Sequence, residues 1–228
     1  MTGPPGAVGR GVKVEIWSDV VCPWCYVGKR RFEAALAGFA HRDEVEVRWR
    51  SFELDPSAPA VRDGSYVGRL AAKYRVPPAE AQAMIDRITD AGAGVGLTFR
   101  FDIARPGRTF DAHRLIHLGA HRGRQGEVKE RLLAATFLDG EAIGEPATLL
   151  RLGVDAGLDG DEVRRVLDTD AFAADVRADE RQAADLGIGG VPFFVVDRRY
   201  GVSGAQPPEV LAELLERAWA DGRPVATG

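Results

Sequence analysis

Cys22-Pro23-Trp24-Cys25 holds the only two cysteines of the chain, placed where a strand-like run hands over to a helix-like one. From Val12 to Trp17, Val12, Val14 and Ile16 alternate with Lys13, Glu15 and Trp17, the period of a strand. Beyond Pro23 the apolar positions become Val27, Phe32, Ala35, Leu36 and Phe39 among Lys29, Arg30, Arg31 and Glu33, the pattern of an amphipathic helix. Proline suits the first turn of that helix, where a missing N–H costs nothing.

A helix N-terminus concentrates unpaired N–H groups and the positive end of the macrodipole, so a cysteine there is favoured as thiolate. Thiols so placed titrate between roughly 3.5 and 7.5, against about 8.5 for a free thiol. Cys22 is therefore the expected nucleophile. Cys25, one turn on, shares its helical face and lies within disulfide reach, so it can resolve a mixed disulfide formed at Cys22. Pro23 and Trp24 occupy the two positions that help set the redox potential of such a pair. A structural disulfide would close a loop too short to stabilise much. A zinc site lacks a second Cys-x-x-Cys, although His113, His117 and His121 fall at four-residue intervals; a solvated polar face explains that stripe without metal, and no metal is expected. Two ordinary buried cysteines would leave the surrounding strand, proline and helix unexplained.

Composition matters mainly for what it excludes. The 228 residues are 45% hydrophobic and 28% charged, the balance of a soluble globular protein of one large or two small domains. A formal charge of −4 argues against a nucleic-acid partner. The basic run Lys29-Arg30-Arg31 reads as the exposed face of the first helix. Residues 1–10 read as a flexible tail without the apolar core of a secretory signal, and no run has the roughly 18 apolar residues of a membrane span, so a cytoplasmic location without membrane contact is expected. In that compartment cysteine pairs are usually catalytic or redox-sensing.

A second strand is expected where Val45, Val47 and Trp49 alternate with charged residues, completing a β-α-β unit. Helical patterns then cover 65–74, 78–91, 110–122, 127–138, 146–156, 161–167 and 170–187, with Asp170 as N-cap and Gly187 as stop. Residues 192–196 and 200–202 form a hairpin around Asp197-Arg198-Arg199, and 206–220 the last helix. The order implies an α/β chain: a thioredoxin-like domain from 11–60 and 186–228, split by an inserted α-helical domain at 61–185.

Four blocks carry a resemblance: Trp17 to Lys29 around the cysteines, Asp111-Ala112-His113-Arg114-Leu115, Gly187-Ile188-Gly189-Gly190-Val191-Pro192-Phe193-Phe194, and Ser203-Gly204-Ala205-Gln206. Together they resemble the FrnE-like branch of the DsbA family of thiol-disulfide oxidoreductases, over nearly the whole chain. Arg108 stands where that family's pattern has Asn. The resemblance implies that Val191-Pro192 is a cis bond packed beside Cys22, where the Val191 backbone meets an extended substrate segment. It also suggests Glu15 as a buried acid assisting proton transfer. His113 is a candidate to line the site, and Asp19 a carboxylate close enough to raise the Cys22 pKa or to cap the helix.

The expected function is thiol-disulfide exchange on protein thiols or disulfides, with no cofactor beyond the cysteine pair itself; a low-molecular-weight thiol such as glutathione is a candidate co-substrate, and a homodimer is left open. Two alternatives remain: a thiol-dependent isomerase of a small aromatic or polyketide-like molecule, whose known relatives usually carry Ser at the position of Cys22, and a non-enzymatic redox-sensing module or holdase.

Overall fold

The alternating run at Val12 is the strand Val12–Ser18 (β1), and it lies at the centre of a four-stranded sheet ordered β2-β1-β3-β4. The computed structural model describes residues 11–222, so the expected tail at 1–10 lies outside them. Helix α1 (Pro23–Gly38) and a 3-10 turn at Arg42–Glu44 lead to β2 (Val45–Ser51), which pairs parallel with β1 in the register Val12 to Val45 and Ser18 to Ser51. Strands β3 (Phe193–Val196) and β4 (Tyr200–Ser203) close the sheet antiparallel, with Ile16 opposite Phe194. Between β2 and β3 run seven helices: α2 (Tyr66–Tyr74), α3 (Pro78–Ala93), α4 (Phe110–His121), α5 (Gln125–Phe137), α6 (Pro146–Asp155), α7 (Gly160–Asp168) and α8 (Ala173–Asp185). The last helix, α9 (Pro208–Gly222), packs against α1. This is the mixed α/β architecture that the order of elements implies.

The period-two reading of β1 needs one correction. Glu15 and Trp17 are buried like Val14 and Ile16, because beyond the exposed Lys13 this central strand is covered on both faces. Val12, Val14 and Ile16 pack with Phe32, Ala35 and Phe194 beneath α1, whereas Trp17 packs with Ala183, Ile188 and Val195 on the α8 side. The first of these clusters continues without a break into Leu115, Leu132 and Leu149, so the sheet and the intervening helices share one core.

Most element boundaries differ from expectation by one or two residues, and one does so for a specific reason. Asp170 does not cap α8; Phe172 does, with φ of 62°. The Arg114 guanidinium gathers the carbonyls of Val166, Thr169 and Ala171, the last at 2.8 Å, and this holds the chain in a turn until Ala173. Gly187 ends α8 as expected, at φ of 71°, with the Ile188 N–H returning to the Ala183 carbonyl at 2.8 Å. The hairpin turn uses Asp197 and Arg198 at φ of 50° and 56°, the paired left-handed residues of a tight hairpin turn, and Asp197 Oδ1 accepts from the Lys13 N–H at 2.8 Å.

Candidate active site

Because Pro23 opens α1, Cys22 falls at the N-cap and Cys25 one turn inside. The Cys22 N–H donates to the Asp19 carbonyl at 3.2 Å and the Cys25 N–H to the Cys22 carbonyl at 3.0 Å, so the entry turn holds both sulfurs toward one side. Both cysteines are free thiols and both are buried, whereas the Trp24 ring between them is 40% exposed. Across from them the Val191–Pro192 bond is cis, and the Cys22 thiol donates to the Val191 carbonyl at 3.6 Å. Ionisation gives up that bond and leaves the sulfur to accept from the Cys25 thiol and the N–H groups of Cys25 and Trp24.

The two thiols are driven apart in acidity. The Cys25 thiol, donating to the Cys22 sulfur, does most to hold Cys22 below the ordinary thiol range; the N–H groups of Cys25 and Trp24 act in the same direction, against burial and the nearby Asp19 carboxylate. Burial, and then the Cys22 sulfur itself, push Cys25 well above the usual range. The site therefore contains one sulfur disposed to ionise and one that holds its proton.

Beneath the pair lies a set of buried charges contributed by three parts of the chain. Asp19 is fully buried; Oδ2 accepts from the Leu54 N–H at 2.8 Å and Oδ1 from His113 Nε2 at 3.3 Å. Burial would raise its pKa, but His113, the Leu54 N–H and Lys129 together hold the carboxyl below its ordinary value. Asp19 thus faces Cys22 as an anion, and its side chain caps no helix. Lys129, from α5, is fully buried and its Nζ has no hydrogen-bond partner; it stands 5.7 Å from the centre of the Trp49 ring. Burial pushes its pKa down to about 8, despite the attraction of Cys25, Asp19 and Cys22. The helical periodicity of α5 offers no signal for Lys129, because a lysine pattern reads as solvent-facing.

Three further expectations change. Glu15 lies on the α8 side of the sheet, away from α1. It accepts from Arg50 Nε and Arg198 Nη2, both at 2.7 Å, and Arg50 in turn reaches Asp179 of α8. Its position in the register of β1, not its distance in sequence, removes it from the thiols. The histidine stripe of α4 is not a solvated face: His113 meets Asp19, buried His117 lies 3.1 Å from Ser51 Oγ and from Asp179 Oδ2, and only His121 is exposed, its ring edge against Phe172. Among the described residues no cluster of His, Cys, Asp and Glu is arranged to hold a metal. Lys29 and Arg30 are not a free basic surface either, since both pair with Glu130 of α5, at 2.6 and 2.5 Å, and Tyr26 donates to the same carboxylate. Arg31 donates to the Ala205 carbonyl. That network fastens α1 to the helix that carries Lys129.

A sequence profile described as a DSBA-like thioredoxin domain matches residues 13–216. The chain is 29% identical over 188 residues to the uncharacterized protein YwbO of Bacillus subtilis (strain 168), covering 81% of this chain and 86% of that one. Its fold is similar to that of a probable DsbA oxidoreductase, SCO1869, from Streptomyces coelicolor, with a TM-score of 0.89 and 48% identity over 95% of this chain and 94% of that one. It is also similar in fold to the cytosolic disulfide reductase DsbM of Pseudomonas aeruginosa, solved with GSH, with a TM-score of 0.65 and 19% identity over 91% and 99% of the two chains.

Proposed function

The chain belongs to the family of DSBA-like thioredoxin domains, and from that premise we propose that it catalyses thiol-disulfide exchange through a mixed disulfide at Cys22 that Cys25 resolves. The observation that carries this reading is the geometry of two free thiols one turn apart at the N-terminus of α1, with the Cys22 sulfur against the Val191 carbonyl; their acidities are displaced in opposite directions accordingly. Attack on a substrate disulfide needs a thiolate that the partner's sulfur can reach, and Cys22, nearly covered in the free protein, is the sulfur placed at the N-cap against the Val191 backbone. Resolution needs a second thiol that stays protonated until the mixed disulfide forms; once Cys22 is bonded to substrate its sulfur no longer carries charge, and the repulsion that holds the Cys25 proton is relieved. Lys129, a buried cation near both sulfurs, favours the Cys25 thiolate at that moment.

Pro23 and Trp24 tune the pair, and the backbone of Val191 beside Pro192 receives an extended substrate segment. Substrates are protein thiols or disulfides or a low-molecular-weight thiol, glutathione among them. The reductase of similar fold solved with GSH supports that choice. No helix of the described residues is long and apolar enough to cross a membrane, and the proposed location is cytoplasmic. A cysteine at position 22 favours exchange over isomerisation of a small molecule, since two thiols of opposed acidity have no role in the latter.

The test is titration of the pair in a glutathione redox buffer, followed by insulin reduction and scrambled-ribonuclease refolding with wild type, Cys22→Ser and Cys25→Ser. Turnover lost in Cys22→Ser, and a trapped mixed disulfide in Cys25→Ser, are the expected results. A potential near about −120 mV marks an oxidant and one near about −270 mV a reductant. Equal turnover in wild type and Cys22→Ser overturns the reading.

A further inference from the structure

Beside the thiols, α2 presents Tyr66, Arg69 and Lys73 along one face at helical spacing, and these three line a cavity of about 290 Å³. Asp19, Val21 and Leu54 line it as well, the first two belonging to the segment that leads into Cys22. The Tyr66 phenol is close enough to Cys22 for its acidity to be weakened by burial first and by that sulfur second. Val21, the residue before Cys22 in the chain, lines the cavity, which therefore opens beside the nucleophile.

Its charge balance is one-sided. Asp19 already has His113, the Leu54 N–H and Lys129 as partners, and Asp55 is paired with Arg62. Arg69, by contrast, donates to the carbonyls of Asp63, Gly64 and Ala104 and lies over the Tyr66 ring at 5.3 Å, and Lys73 stands 5.6 Å from the Tyr74 ring. Neither is paired with a carboxylate among the described residues. Two cations without counter-ions in one cavity, whose lining also includes apolar Val21, Leu54 and Leu70, make a site for a short anionic molecule.

We propose that this cavity binds the carboxylate of a small disulfide or thiol through Arg69 and Lys73 while the ligand's sulfur meets Cys22. The proposal rests on the exchange chemistry above and names its small-molecule partner class. The cavity volume is at the small end of ligand sites, which run from about 300 Å³ upward, and this favours a low-mass ligand over a folded protein surface. In the reaction the Cys22 thiolate attacks one sulfur of the carboxylate-bearing disulfide, the S–S bond breaks, and one thiolate leaves. The Cys25 thiolate then attacks Cys22 Sγ and expels the second. Two electrons pass from the cysteine pair to the ligand, and the two thiol protons end on the two released thiolates. The reverse sequence oxidises the small thiol.

The experiment compares the second-order rates at which dithiodipropionate, dianionic, and hydroxyethyl disulfide, neutral, oxidise the reduced protein, in wild type and in the Arg69→Gln/Lys73→Gln variant. The anionic-to-neutral rate ratio is expected to fall about tenfold in the variant, and the wild-type ratio to fall with added salt. An unchanged ratio overturns the proposal. If neither disulfide reacts with wild type, the exchange reading fails instead; suberate, which has the same span without sulfur, then tests the cavity alone. Calorimetric binding of suberate by wild type and not by the variant upholds the site, and equal binding or none by either protein overturns it.

Discussion

A Cβ on Gly28 would stand 3.0 Å from Cγ of Pro192 and 3.6 Å from Cβ of Ala205, so the second turn of α1 meets the loop that faces Cys22 at a position with no side chain. Helix and loop are brought together at a glycine, and the Val191 carbonyl of that loop accepts from the Cys22 thiol.

Gly28→Val is expected to push the Val191–Pro192 loop away from α1, lowering stability by about 1–3 kcal/mol, the usual cost of overpacking, and slowing oxidation of the protein by disulfides. In Gly28→Ala the crowding is smaller and the gain in helix propensity of about 1 kcal/mol offsets it. Urea unfolding and the rate of reaction with a neutral disulfide check both; an unchanged rate in Gly28→Val would show that the loop position is not set at this contact.

Lys129 gives stability a definite pH dependence. Its proton leaves the folded protein at about 8 and leaves the unfolded chain at about 10.4. Between those values the unfolded state binds more protons, so stability rises with pH, and below about 8 the full cost of the buried charge is present. Lys129→Met is expected to raise stability at neutral pH by on the order of 2 kcal/mol and to flatten that rise. Resolution by Cys25 should slow in the same variant, because the cation that favours its thiolate is gone. Thermal melts from neutral to alkaline pH and mass spectrometry of the mixed disulfide read the two effects; a variant less stable at neutral pH contradicts the first.

Asp19→Asn removes a like charge from beside the Cys22 thiolate. The Cys22 pKa is expected to fall further and the pair to become more oxidising, because the reduced, ionised form gains stability. The pH profile of iodoacetamide alkylation measures this, and a higher Cys22 pKa in the variant would contradict it.

Glu53 acts in the opposite sense to Lys129. Burial lifts its carboxyl to about 7, against the pull of Arg177 at 2.6 Å, whereas the unfolded chain titrates at about 4.3. Between those values the folded state holds the extra proton, so stability falls as pH rises. Glu53→Gln should abolish that fall and leave the protein more stable above pH 7 by on the order of 2 kcal/mol. Denaturant midpoints across the acidic range decide it, and a fall that persists in Glu53→Gln assigns it to another group.

The sequence by itself determined the features whose causes are local. Cys22 and Cys25 with Pro23 between them set the N-cap and first turn of α1, the alternation from Val12 located β1, and Asp197-Arg198 located the hairpin turn, since backbone preference and periodicity act over a few residues. Tertiary structure decided the charged surroundings of the thiols. Asp19 meets His113 across 94 positions of sequence, and Tyr26 meets Glu130 across 104. The face on which Glu15 lies depended on which strands flank β1 and what covers them. A lysine buried beneath a cysteine pair looks, in sequence, like any lysine on a polar helix face. Burial and Coulomb interaction depend on distance in space, and long-range folding alone sets that distance.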